Sequence, residues 1–216
     1  MFGSRKDKMR KIKEEELESL LLKYHAALKT LETELSILLQ DFEFQNKYNP
    51  VEHIKSRIKS YDSVVKKLTK KGYKVTIKNI EEQIHDMVGI RIICAFLPDI
   101  YKVVHLLEHS EHIKIYNRKD YITHPKNTGY SSYHLQVKVP VHLMKGISFV
   151  NAEIQIRTLA MDFWASLEHK IRYKFLGEVP QNIQENIYKC ALDINELDRK
   201  MLFLNHEVQK LKQSLH

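Results

Sequence analysis

Apolar positions along the chain change rhythm twice. From Leu17 to Phe42 they step by four and three, through Leu21, Tyr24, Leu28, Leu31, Leu35 and Leu38. From Ile187 the same rhythm returns through Cys190, Ile194, Leu197, Met201, Leu204, Val208, Leu211 and Leu215. Such steps run one apolar stripe along a helix and suit packing against another helix. Charged residues in between, such as Glu32, Glu34, Asp198, Arg199 and Lys200, belong on the wet face. Each helix either covers its own domain or helps to hold an oligomer together.

Between these helices the pattern is mixed. Asn49-Pro50 reads as a cap and first-turn pair, predicting a helix to about Lys70 that Gly72 stops. A shorter helix precedes Gly89. The apolar, β-branched run from Ile90 to Phe96 predicts a buried strand. Helical spacing returns from 99 to 110 through Val103, Val104, Leu106 and Leu107. Strands are expected from 113 to about 119, from 132 to 139 before Pro140, and from 148 to 157. A last helix spans 158 to 170, with Thr158 able to cap it. The fold class is therefore α+β: a small mixed β-sheet with helices packed on it, flanked by long N- and C-terminal amphipathic helices. Residues 1–48 form the N-terminal helix, 49–175 the core, and 176–216 a C-terminal helix that can serve oligomerisation.

With 216 residues, 43% of them hydrophobic, the chain can bury one substantial core. Six Gly and five Pro, nowhere clustered, leave no flexible linker. A formal charge of +8 and a pI of about 9.2 favour nucleic acid, an anionic membrane or phosphorylated small molecules, or else mark a solvated basic surface. Two cysteines, one of them inside the apolar run at Cys94, form no disulfide framework and point to a reducing compartment. The N-terminus passes from Met1-Phe2-Gly3-Ser4 straight into a charged run, and no apolar stretch is long enough to span a bilayer. A cytoplasmic protein is expected.

The chemistry gathers on the strands. In Glu153-Ile154-Gln155-Ile156-Arg157, strand alternation puts Glu153, Gln155 and Arg157 on one face. The same split groups Ser132, His134, Gln136 and Lys138, and Arg91 interrupts an apolar strand. A face lined by Arg, His, Gln and Glu is costly as core and sensible as a polar binding floor; a solvated sheet face is the plainer alternative. Asp86 and Glu153 are the carboxylates that Mg²⁺ would need near phosphates. Lys59, Ser63, Lys67 and Lys70, at steps of four, four and three, make a stripe that reaches a polyphosphate or simply faces water. Arg57 and Arg91 offer flat guanidinium groups for stacking on a base, and the Lys119–Tyr130 loop adds cations and an aromatic ring. Tyr130 can equally pack at a strand end. No Gly-rich phosphate loop is present, and the histidines show no zinc spacing.

Taken in order, Asp86-x-x-Gly89-x-Arg91, Lys126-x-x-Gly129-Tyr130-x-Ser132-x-His134, Glu153-Ile154-Gln155-Ile156-Arg157-Thr158 and Phe163-Trp164-Ala165 resemble the RelA/SpoT-type (p)ppGpp synthetase domain. The resemblance covers about residues 49 to 175, in the single-domain form of the small alarmone synthetases. It implies a nucleotidyltransferase-like synthetase fold and a GTP pyrophosphokinase of the stringent response. Such an enzyme moves pyrophosphate from ATP to the 3′-hydroxyl of GDP or GTP with Mg²⁺ and leaves AMP. It implies that Arg57 and Arg91 sandwich adenine and that Lys59, Ser63 and Lys67 line the ATP phosphates. Asp86 and Glu153 match the Mg²⁺-associated acids, and Glu153 also matches the residue that activates the 3′-hydroxyl. Tyr130 matches the guanine-stacking ring, and Lys119, Lys126 and His134 match acceptor-phosphate contacts, with Gln155 and Arg157 completing the floor. Two positions depart: Lys119 stands where Arg is frequent, and Asp162 stands where some members carry Asn near the guanine edge. A carboxylate there can still accept from guanine N1–H and N2–H₂. The resemblance also implies a homo-oligomer, in the small synthetases a homotetramer, while the single N-terminal helix leaves no room for the family's hydrolase region. The rival reading is a basic RNA-binding protein without catalysis; a cationic cleft can also bind RNA weakly beside its catalysis.

Overall fold

The computed structural model describes residues 14–174 and 179–214; the charged run at 5–11 and Leu215 lie outside the described residues. In chain order the elements are α1 (Glu14–Asn46), β1 (Val51–Ile58), α2 (Tyr61–Lys70), α3 (Ile77–Gln83), β2 (Val88–Cys94) and α4 (Leu97–Glu108). They continue with β3 (Lys114–Asp120), β4 (Tyr133–Leu143), β5 (Gly146–Thr158), α5 (Leu159–Lys174) and α6 (Gln181–Ser214). The strands form one mixed sheet in the order β1-β2-β5-β4-β3, parallel between β2 and β5 and antiparallel elsewhere.

One face of this sheet is the core. Ile90 and Ile92 of β2, Ile154 and Ile156 of β5, and Leu135 and Val137 of β4 are buried there. The α1 helix lies across that face through Leu20, Tyr24, Ala27, Leu31, Leu35 and Leu39. Of the expected heptad stripe, Tyr24, Leu31 and Leu35 are buried, while Leu17, Leu21, Leu28, Leu38 and Phe42 are only half-buried. A heptad repeat tracks a partner helix, whereas a helix lying on a sheet follows its own 3.6-residue period and drifts off the heptad.

The largest departure is the segment expected as a helix from Asn49 onward. Val51–Ile58 is an edge strand, and the helix begins only at Tyr61. Ile54 and Ile58 are four apart, a spacing that keeps one face both in a helix and in a strand. Val51 breaks the alternation because a bulge separates it from His53. Pro50 follows an Asx turn, with the Val51 N–H donating to Asn49 Oδ1 at 2.9 Å. The predicted stop holds: Gly72 takes φ +78°, and the Tyr73 N–H donates to the Leu68 carbonyl at 3.0 Å, a Schellman ending. Strand β4 runs on through Pro140 because β3 pairs with it only as far as Lys138, so beyond that point one side needs no N–H. Thr158 caps α5 as expected, its Oγ1 accepting from the Met161 N–H at 3.2 Å.

Leu31 is fully buried between α1 and the sheet. Leu31→Ala is expected to lower the unfolding free energy by about 2–5 kcal/mol, measured as the shift of the urea midpoint at unchanged slope.

Candidate active site

The register brings the polar residues of all five strands into two rows. Lys55, Arg91, Gln155, His134 and Lys119 are successive ladder partners across the sheet, and so are Arg57, Gly89, Glu153, Gln136 and Asn117. Directly paired residues project from the same face, so the rows lie side by side opposite the core. Gly89, in the middle of the second row, lies directly beside Arg57; a Cβ there would sit in ordinary contact, 3.7 Å from Arg57 Cγ. A cleft of about 190 Å³ opens above this end of the sheet, lined by Lys55, Arg57, Asp86, Arg91, Glu153 and Gln155 among others.

Asp86 stands at the entrance to β2. The Lys59 N–H donates to the Met87 carbonyl at 2.8 Å, which sets Lys59 beside it. The Lys59 ammonium donates to Asp86 Oδ2 at 2.7 Å and Lys67, from α2, to Oδ1 at 2.8 Å. Burial raises the Asp86 carboxyl, but the hydrogen bonds and charges of the two lysines outweigh it and hold it below the ordinary carboxylate range. Ser63 is not drawn into this cluster; it pairs with Ser60 at 2.8 Å.

Glu153 is held from the other side. His134 Nδ1 lies 3.3 Å from its Oε1, and Gln155 Nε2 donates to Oε2 at 2.8 Å. Burial raises this carboxyl too, yet the His134 and Gln155 hydrogen bonds leave it lowered against an upward push from Asp86. His134 Nε2 is 2.7 Å from the Tyr130 hydroxyl, and Arg157 donates to that hydroxyl at 2.6 Å. With Arg157 donating, Tyr130 gives its proton to Nε2, and Nδ1–H points at Glu153. This tautomer satisfies every atom of the chain from Arg157 to Glu153.

Lys126 sits over the rings of Tyr121 and Tyr130, 4.6 and 4.7 Å from their centroids. It covers one face of the Tyr130 ring. Lys119 is exposed on the edge strand, directly across from His134. Asp162, expected at the guanine edge, stands in the first turn of α5 against the floor residues, with both oxygens turned to cations: Arg91 at 2.9 Å, Arg157 at 3.2 Å and Lys55 at 3.6 Å.

Lys55 and Tyr116 escaped the sequence reading, and Asp198, expected on the wet face of its helix, is half-buried instead. Lys55 enters the first row only because 51–58 is a strand. Tyr116 occupies a bulge in β3, its hydroxyl 3.2 Å from His85 Nδ1, and burial together with Glu153 raises it. Asp198, on α6, accepts from Thr158 Oγ1 at 2.7 Å. Among the described residues no group of three or more His, Cys, Asp or Glu could hold a metal ion. Asp86 and Glu153, two carboxylates on one cleft, fit Mg²⁺ shared with substrate phosphates and waters better than a closed protein cage.

Residues 56–178 match the family described as "Region found in RelA / SpoT proteins". The chain is 47% identical over 194 residues to the GTP pyrophosphokinase YwaC of Bacillus subtilis, covering 90% of this chain and 92% of that protein. It superposes with a TM-score of 0.82 on the crystal structure of small alarmone synthetase 1 from Bacillus subtilis bound to its product pppGpp. That match has 33% identity and covers 91% of this chain and all of that one. Small alarmone synthetase 2 of the same organism matches with a TM-score of 0.80 at 47% identity, over 90% of this chain and 100% of that chain.

Gly129 holds Tyr130 in place at φ +85°, and a Cβ there would come within 2.4 Å of the Ala191 Cβ on α6 and 3.8 Å of the Trp164 ring. Gly129→Ala is expected to push the loop off α6, lowering stability by about 1–3 kcal/mol and shifting the emission of Trp164. Trp164 is the chain's one tryptophan, so its fluorescence and thermal melting together check this. An unchanged spectrum and melting temperature would mean the loop does not depend on that contact.

Proposed function

The chain belongs to the RelA/SpoT family, and we propose that it acts there as a small alarmone synthetase, a GTP pyrophosphokinase that makes (p)ppGpp. It transfers pyrophosphate from ATP to the 3′-hydroxyl of GDP or GTP. The observation that carries this reading is the placement of Glu153 in the two-row floor. On one side lies the Lys59–Asp86–Lys67 cluster, on the other the Tyr130–His134 pair.

Arg57 and Arg91 stack on adenine, and Lys59, Ser63 and Lys67 take the donor phosphates. Tyr130 stacks on guanine once Lys126 has moved off its face, and Lys119, Lys126 and His134 meet the acceptor's phosphates. Gln155 and Arg157 hold Glu153 and Tyr130 in place from the floor. The 3′-oxygen bonds to the β-phosphorus of ATP, the bond from that phosphorus to the α,β-bridging oxygen breaks, and AMP leaves. Glu153, a carboxylate in this site, takes the hydroxyl proton. Asp86 and Glu153 would hold Mg²⁺, which supplies neutralisation of the polyphosphate charge. Positioning and charge neutralisation are most of what such a transfer needs.

Nothing in the relatives favours the RNA-binding alternative. No helix among the described residues is long and apolar enough to cross a membrane. The nucleotide substrates place the enzyme in the cytoplasm.

The protein works as a homo-oligomer, a tetramer in this reading. The strict heptad on α6 supports this: Leu197, Met201, Leu204, Val208 and Leu211 are each at least half exposed. Such a seam fits a helix of a second copy.

Glu153→Gln is expected to cut turnover by about 10²–10⁴-fold, read by chromatography of nucleotides after incubation with ATP, GDP and Mg²⁺. Undiminished AMP formation would remove Glu153 from the chemistry, and a parent protein that forms no AMP with GDP or GTP would sink the function itself. Light scattering coupled to gel filtration should give a multiple of the 25.6 kDa chain mass. Leu204→Glu should lower that mass; a monomeric parent at micromolar concentration refutes the assembly.

A further inference from the structure

Asp162, in the first turn of α5, is 7% exposed. Its Oδ1 accepts from Arg91 at 2.9 Å and from Arg157 at 3.2 Å, and its Oδ2 faces the Lys55 ammonium at 3.6 Å. The two arginines belong to different sides of the site. Arg91 lines the cleft, and its Nε is buried without a partner. Arg157 is 4% exposed and gives its other N–H groups to Ser132, Tyr130 and Gln155. Each side chain works against the other's charge, and Asp162 is the carboxylate that both touch.

We propose that Asp162 is a positioning residue that ties Arg91, on the donor side, to Arg157, on the acceptor side, and so couples the two nucleotide subsites rather than reading the guanine edge. The inference rests on the synthetase reading above. Its geometry favours coupling because a guanidinium is held through its edge and stacks through its face. Asp162 grips Arg91 at the terminal Nη1, which leaves the flat faces free for adenine. Arg157 in turn grips the Tyr130 hydroxyl, so the ring that stacks on the acceptor is tied to the same carboxylate through one side chain. To turn Oδ1 to guanine, Asp162 would have to release the buried Arg157 and the half-buried Arg91 together, leaving like charges side by side without compensation.

Asp162→Asn keeps the size and removes the charge. KM for ATP and KM for GDP are both expected to rise about tenfold, with kcat falling less and the preference for GDP over IDP held within about twofold. An unchanged KM for ATP, or a collapse of the guanine-over-hypoxanthine preference, would overturn the proposal. A crystal structure of the unmodified protein with α,β-methylene ATP and GDP gives a second test that needs no variant. Asp162 still on Arg91 and Arg157 supports the proposal, and a carboxylate swung onto guanine N1 and N2 overturns it. Failure of the parent reading is seen elsewhere, in an unmodified protein that makes no AMP.

Discussion

The site depends on strand alternation in a sheet whose main core lies on one side. In β5, Ala152, Ile154 and Ile156 are buried, so Glu153, Gln155 and Arg157 must face the other way. A slip of one residue would bury those three polar groups and expose two isoleucines, so burial of the apolar face fixes the register strongly. The same register in β2 and β4 carries Arg91, His134 and Gln136 into line with them. The geometry of the polar floor is thus inherited from the packing beneath it. The active groups need no separate scaffold.

Concentrating cations on one face creates repulsion, and the protein relieves it internally. Asp86 sits between two ammonium groups, Asp162 between two guanidinium groups, and Glu153 against His134 and Gln155. Burial pushes the Asp86 and Glu153 carboxyls upward, and in both cases their hydrogen-bond partners win. In the proposed function, a polyphosphate entering this cleft would exchange partners with Asp86 instead of meeting bare lysines. Such an exchange would keep each ammonium paired and leave a carboxylate for a metal ion.

The central strands were legible because β-branched runs and alternation coincide there. The first strand was not, since Ile54 and Ile58 satisfy helical and strand spacing alike and a bulge hides the alternation before them. That one misreading also concealed Lys55, whose place in the floor follows from pairing with Arg91. Tyr116 was hidden by another bulge, which depends on tertiary pairing that no local pattern encodes. The ordered motifs located Asp86, Tyr130, His134, Glu153 and Arg157, which the structure brings into one connected region. They could not show that Asp162 is held by cations, because its partners come from three strands, β1, β2 and β5.

The C-terminal helix has two faces with different duties. As far as Asp198 it touches the Tyr130 side of the site: Ala191 packs where Gly129 has no side chain, the Trp164 indole donates to the Ile187 carbonyl at 3.1 Å, and Asp198 takes the Thr158 hydroxyl. Asp198 is raised by burial, against the Thr158 hydrogen bond, so that contact joins α6 to the residue that follows Arg157 in the chain. The second half leaves its heptad stripe exposed. A helix is stiff over this length, so a force applied at one end is felt at the other. A copy of the chain packing on the stripe would act on the same rigid body that sets the position of Tyr130. In the proposed assembly, α6 would therefore be common to the contact between copies and to the side of the site that holds Tyr130.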